Sequence, residues 1–280
     1  VPYLERSGRP TLHYEVDDYT DPWKKASYVV LQHGNAKNCE FWRAWVPYLS
    51  RFYKIIRPDL RGMGKSGTDF DLKTGFNVPA YVQDFTDLLD HLGVESAHYV
   101  GESSAGTLGF AFAAEAPERV RTLTVSSSPI SMPQADIESS LGSFATRVEM
   151  LQKVGSRGWA EASNAGRRIP VGADQGMLDW VVDEMGKSDV DVLINYFRWI
   201  STADAEPYLS RIRAPVLGLY PNPNVVSTEE HHRLLRTKVA NIRIVRVPTD
   251  SHLINVTHAA TCALEVLHFI SLQDGIVCRE

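Results

Sequence analysis

Val100-Gly101-Glu102-Ser103-Ser104-Ala105-Gly106 stands between a β-rich run, Ala97–Val100, and an apolar helical pattern over Ala105–Ala116. A serine at that junction occupies a sharp strand-to-helix turn, which lifts a nucleophilic hydroxyl clear of the backbone. Such a turn is close-packed, so small residues are needed two before and two after the serine. Gly101 and Ala105 meet that need around Ser103. Choosing Ser104 would put Glu102 at the crowded position, so Ser103 is the candidate nucleophile. The N–H of Ser104, at the start of the helix, is placed to stabilise an oxyanion. A small-x-Ser-x-small frame alone arises often by chance; its weight comes from what surrounds it.

Working outward, short β-rich runs alternate with longer helical patterns. The runs are Thr11–Val16, Tyr28–Gln32, Tyr53–Arg57, Ala97–Val100, Val120–Val125, Val216–Tyr220 and Ile242–Val247. The helical patterns are Phe41–Arg51, Val78–Leu92, Ala105–Ala116, Thr228–Arg236 and Thr257–Leu272. That alternation predicts an α/β protein with a mostly parallel sheet covered on both faces. One interval breaks it. From Met132-Pro133 to Arg213-Ala214-Pro215 there is helical periodicity and no convincing strand. Leu178, Val181, Val182 and Met185 form one apolar face there, and Val192, Leu193, Tyr196 and Ile200 another. The division expected is a core of residues 1–132 and 214–280 with a helical cap, 133–213, inserted between two strands.

The chain has 280 residues, a length suited to one α/β domain carrying one insertion. Hydrophobic residues at 44% and charged ones at 22% are ordinary globular values and exclude a disordered chain. The net charge of −5 and the absence of a Lys/Arg tract argue against nucleic acid or an anionic membrane as partner. No apolar stretch approaches a membrane span. The start Val1–Arg6 lacks the apolar run of a signal peptide, so a cytoplasmic place is expected. Cys39, Cys262 and Cys278 are too scattered for a disulfide framework or a zinc site. Neither a Gly-rich dinucleotide pattern nor a metal-spaced cluster is present, so no cofactor and no metal are expected. The partner expected is a small-molecule substrate, with the chain a monomer or homodimer.

Three further motifs accompany the serine. Leu31-Gln32-His33-Gly34-Asn35 ends a strand; Arg57-Pro58-Asp59-Leu60-Arg61-Gly62-Met63-Gly64-Lys65-Ser66 follows; Ala116-Pro117-Glu118-Arg119-Val120 comes after the serine helix. With them the chain resembles the α/β-hydrolase family over nearly its whole length. It is most similar to the branch containing enol-lactonases, small carboxylesterases and carbon–carbon bond hydrolases. The resemblance implies an eight-stranded sheet with a helical lid between strands six and seven. It implies a second oxyanion N–H from Asn35, with His33 orienting that loop, and a turn-shaping role for Asp59, Arg61, Gly62 and Gly64. In Val247-Pro248-Thr249-Asp250-Ser251-His252 it places the catalytic base at His252, which would take the proton from Ser103 and return it to the leaving group.

The third triad member departs from the family pattern. Tyr220-Pro221-Asn222-Pro223-Asn224-Val225-Val226 puts Asn224 where the aspartate belongs, and the alternative position after strand six reads Val125-Ser126-Ser127-Ser128-Pro129. Neither carries a carboxylate. Asn224 could orient His252 through its amide oxygen. Glu229 or Glu230 could reach the imidazole instead, or hydrolysis could be reduced or lost. Glu102 is expected to serve as a structural partner to nearby donors, and Asp250 to shape its loop.

Aromatic residues crowd the regions that would choose a substrate: Trp42, Trp159, Trp180, Tyr196 and Trp199 are the candidates. Arg167, Arg168 and Arg198 could meet a carboxylate there. The function expected is a cofactor-free serine hydrolase of a carboxylic ester or lactone, working through a Ser103 acyl-enzyme. A carbon–carbon bond hydrolase is the alternative on the same site, and a binding or receptor protein of the same fold is the alternative from another class.

Overall fold

The computed structural model describes residues 2–132, 144–224 and 226–278. Eight strands form one sheet: β1 (Tyr3–Arg6), β2 (Arg9–Asp17), β3 (Tyr28–Gln32), β4 (Lys54–Pro58), β5 (Ala97–Glu102), β6 (Val120–Ser126), β7 (Val216–Tyr220) and β8 (Ile242–Arg246). Their order is β1-β2-β4-β3-β5-β6-β7-β8. The hairpin β1–β2 and the pair β2–β4 are antiparallel; the pairs from β4 through β8 are parallel. The central strands are covered on both faces, and β5 is buried at every position, His98 and Glu102 included. Strand β1 carries no sequence signal: four residues with Glu5 and Arg6 are too short and too polar to show a period.

Helices α2 (Val78–His91) and α3 (Ser104–Glu115) belong to the core on one side of the sheet, through Phe85, Leu88, Leu108 and Phe112. Helices α1 (Val46–Leu49) and α10 (Ala259–Asp274) fill the other, through Leu49, Cys262, Val266 and Ile270. Helix α3 is buried almost all round, which suits an element that leads straight out of the central strand. One expected helix is broken. The pattern over Phe41–Arg51 becomes a 3₁₀ turn, Cys39–Trp42, followed by the short α1. Pro47 explains the break, since it has no N–H to continue a helix from the turn before it. The pattern over Thr228–Arg236 is met by α8 (Glu229–Lys238), and that over Thr257–Leu272 by α10, which the short α9 (Ile254–Thr257) precedes.

Between β6 and β7 the described residues form α4 (Arg147–Asn164), α5 (Gln175–Gly186), α6 (Val190–Ile200) and the short α7 (Glu206–Leu209). Among the described residues this interval contains only isolated bridges, Ser131 with Asp204 and Ala165 with Ile169. Residues 133–143 of the expected insertion lie outside the described residues. Asp174 and Asp189 cap α5 and α6 by accepting from Met177 N–H and Val192 N–H. The inserted helices touch the core near the carboxyl ends of the strands, where Asn38 donates to Glu184 at 2.8 Å. No helix among the described residues is long and apolar enough to cross a membrane.

Candidate active site

Strand β5 ends at Glu102 and α3 begins at Ser104, so Ser103 alone makes the turn between them. Its backbone sits at φ 53°, ψ −123°, a left-handed conformation that side chains with a Cβ rarely adopt. Packing holds it there. Ser103 N–H donates to Ser126 O at 2.8 Å, and a Cβ on Gly101 would stand 2.6 Å from Ala105 O. The other described non-glycine residues with positive φ are Ala36 and Ser127, which follow β3 and β6. All three lie past the carboxyl ends of adjacent central strands, the edge where open α/β sheets place ligands.

His252 reaches the same point from the loop after β8. Its Nε2 lies 3.2 Å from Ser103 Oγ, and both residues are buried. Ser103 and His252 are therefore brought together across 149 residues of sequence. The imidazole loop is fixed by the insertion: the carbonyl of Arg168 accepts from His252 N–H at 2.9 Å and from Ser251 Oγ at 3.1 Å.

The opposite side of the ring is bare. His252 Nδ1 is buried and has no hydrogen-bond partner among the described residues. Asn224 is not brought to it. The Asn224 amide oxygen accepts from Val226 N–H at 2.9 Å and Ser227 N–H at 3.0 Å, closing its own turn, so the expected orienting contact is not made. The other carboxylates are also committed elsewhere: Glu229 pairs with Arg246, Glu230 with Arg233, and Asp250 accepts from Asn222. Ser103 can donate to Nε2 only when the imidazole proton sits on Nδ1, where it meets no acceptor.

Glu102 is the buried carboxylate that the strand does bring to the site. Its oxygens lie 3.0 and 2.9 Å from Lys37 Nζ, and it accepts from Gly34 N–H at 3.1 Å. Its Oε1 is also 3.9 Å from His252 Nε2, on the Ser103 side of the ring. A Cβ on Gly34 would come within 2.7 Å of Glu102 Oε2, so the loop after β3 is pressed directly onto this carboxylate. Arg168 stacks over Trp159 at 5.0 Å and donates to Ser163, and no carboxylate pairs with it among the described residues. Burial draws its guanidinium down to about 10. Burial first, then the charges of Lys37 and Arg168, holds the His252 imidazole well below its ordinary pKa. The imidazole is thus held toward its neutral form, in a locally cationic setting.

The two expected oxyanion donors are differently placed. Ser104 N–H opens α3 beside Ser103. Asn35 N–H donates instead to Ser104 Oγ, at 3.1 Å. His33 ties the loop, with Nδ1 2.7 Å from Gly34 O and Nε2 accepting from Leu60 N–H at 3.0 Å. Asp59 gathers Cys39 N–H, Lys65 N–H and His13 Nδ1, and so shapes the turn below. The group His13, Cys39 and Asp59 is compact and buried, but those bonds already occupy both oxygens of Asp59.

The aromatic candidates separate. Tyr196, fully buried, donates to Ser104 Oγ at 2.7 Å. Trp159 lies beneath Arg168 and against Phe197. Trp180 packs on Phe41, and Trp199 on Tyr81 and Tyr196. Trp42 has no exposure and packs edge-on against Trp45 in the core beneath α1 and α10, a packing position. Arg167 and Arg198 are exposed. Lys37 is the site residue that carried no sequence signal, because its role depends on a partner at the end of β5, far along the chain.

A strained Ser at the strand-to-helix turn, a His after the last strand and this sheet order are those of the α/β-hydrolase fold, and the chain has that fold. Residues 28–152 match the model of the alpha/beta hydrolase fold family. The chain is 23% identical over 278 residues to the putative carbamate hydrolase RutD of Stutzerimonas stutzeri, covering 95% of this chain and 99% of that one. It is 35% identical over 100 residues to the 2-hydroxy-6-oxo-2,4-heptadienoate hydrolase of Pseudomonas putida, covering 35% and 36% of the two. Among solved structures it is similar to the enol-lactonase of Burkholderia xenovorans, with a TM-score of 0.84, 22% identity, and coverage of 96% of this chain and 100% of that one. A thermophilic esterase of Thermogutta terrifontis gives a TM-score of 0.80 at 18% identity, covering 98% and 99%.

Proposed function

We propose that the protein is a cofactor-free serine hydrolase of carboxylic esters or lactones, with Ser103 as nucleophile and His252 as base. The observation that carries this reading is the 3.2 Å approach of His252 Nε2 to Ser103 Oγ at a strained, packed turn. Ser103 Oγ attacks the carbonyl carbon as its proton passes to Nε2, and the carbonyl electron pair moves onto oxygen. The tetrahedral intermediate expels the alcohol, which takes the proton from His252. Water repeats the sequence on the acyl-enzyme and frees the acid. The inserted helices act as a cap over this site and set the substrate, which the aromatic surroundings favour as small to medium and mainly apolar.

The bare Nδ1 supports a second, quantitative statement. An imidazolium at His252 lacks the carboxylate that usually faces it, and Glu102 near Nε2 favours the unproductive tautomer. Loss of that orienting charge costs about four decades in a serine protease. Slow turnover is the expected behaviour, and a binding protein with residual hydrolysis lies at its limit. The test is p-nitrophenyl acetate hydrolysis by the wild-type chain beside Ser103→Ala and His252→Ala. Both variants are expected to fall to the buffer rate; equal rates in all three overturn the assignment.

A further inference from the structure

We infer that the side-chain hydroxyl of Ser104, aligned by Asn35 and by Tyr196 of the insertion, is a donor to the oxyanion formed at Ser103. This rests on the hydrolase reading above and adds to it a residue and a cap contribution.

Three observations meet at one oxygen. Asn35 N–H donates to Ser104 Oγ at 3.1 Å, so this backbone donor is already engaged within the protein. Tyr196 O–H, from α6, donates to the same oxygen at 2.7 Å. All three residues are buried, Ser104 and Tyr196 completely. A hydroxyl has two acceptor positions and one hydrogen. With Tyr196 as the donor of this pair, both acceptor positions of Ser104 Oγ are filled and its own hydrogen is left for a ligand. That hydrogen belongs to the residue next to the nucleophile, on the first residue of α3, where the helix dipole favours negative charge.

The arrangement suits an oxyanion better than a neutral carbonyl. Two donors pointing into Ser104 Oγ withdraw electron density from it and strengthen its O–H as a donor. The acceptor arises only when Ser103 Oγ bonds to carbon, so the stabilisation is realised in the transition state. Ser104 then contributes twice, through its N–H and its O–H. Tyr196 acts through Ser104 as a positioning residue. Because Tyr196 lies on α6, seating of the inserted helices becomes a condition for full oxyanion stabilisation.

The competing account is that Ser104 Oγ occupies Asn35 N–H at rest and yields it to the oxyanion. The two differ in the full-length Ser104→Ala and Tyr196→Phe variants, each checked by thermal melting. Turnover of p-nitrophenyl acetate is read beside affinity for an aryl trifluoromethyl ketone, which adds to Ser103 as a charged tetrahedral adduct. Ser104→Ala is expected to lower kcat about 10- to 100-fold, below the full loss of one oxyanion donor because Asn35 N–H is freed to substitute in part. KM should change less than about 2-fold, and ketone affinity should fall with kcat. Tyr196→Phe should lower kcat and ketone affinity about 3- to 10-fold, and add nothing further in the Ser104→Ala background. A Ser104→Ala protein with wild-type kcat and wild-type ketone affinity overturns the inference and leaves the hydrolase reading intact. A wild-type chain that neither turns over the ester nor binds the ketone overturns both.

Discussion

Lys37 Nζ lies 3.0 and 2.9 Å from the two oxygens of Glu102, and the pair is sealed from solvent directly behind the Ser103 turn. The contact joins the loop after β3 to the end of β5, so the Asn35 loop and Ser103 are held as one unit. Burial draws the Lys37 pKa down and the Glu102 carboxylate opposes that. Removing one partner leaves the other charged and unpaired. Lys37→Met is expected to destabilise the fold by about 3–5 kcal/mol, and Lys37→Met/Glu102→Leu to recover most of that loss. Urea unfolding of the two variants checks it. A single variant as stable as wild type would show that the pair contributes nothing.

The base sets a pH signature. In the proposed mechanism His252 must be neutral to accept the Ser103 proton, and burial with two nearby cations holds its pKa well below 6.5. Activity is therefore retained as pH falls through the ordinary histidine range and lost only as it falls through the depressed value. Arg168→Gln removes one of those cations, so the acid limb of kcat/KM should move to higher pH. A limb that stays in place, or moves lower, contradicts the electrostatic account.

Asn224 closes a turn through Val226 and Ser227 and does not contact the imidazole. Asn224→Ala should cost about 1–3 kcal/mol of stability for its two lost bonds, with kcat within about 2-fold of wild type. A kcat loss of a hundredfold or more in a folded variant would restore Asn224 to the mechanism.

Gly34 tests the packing of the site. Its absent Cβ would meet Glu102 Oε2 at 2.7 Å and Ser103 Cβ at 3.1 Å. Gly34→Ala is expected to cost about 1–3 kcal/mol by overpacking and to lower kcat by displacing the nucleophile. Wild-type melting and turnover together would show that the loop has room to spare.

How much of this could be read from the chain follows from the range of each interaction. Seven of the eight strands carry continuous or alternating apolar runs, and the frame around Ser103 is local, so both were legible. The meeting of Ser103 with His252 was legible through the resemblance and the last strand–loop–helix pattern. Strand β1 was not, because Tyr3–Arg6 is defined only by pairing with β2. Lys37–Glu102, the placing of Arg168 over Trp159, and the bond from Tyr196 to Ser104 join residues 65, 9 and 92 positions apart, and nothing in local composition announces them. The Trp42 expectation shows the reverse limit: an aromatic beside a functional loop reads alike whether it faces a ligand or the core.

The central claim is that Ser103 is an activated nucleophile despite the bare Nδ1 of His252. A fluorophosphonate probe forms a stable phosphonyl ester with such a serine and expels fluoride. Intact-mass analysis of the wild-type chain should show one adduct, mapped to Ser103 by peptide sequencing, and none on Ser103→Ala. An unlabelled wild-type chain, or equal labelling of Ser103→Ala, would contradict the claim.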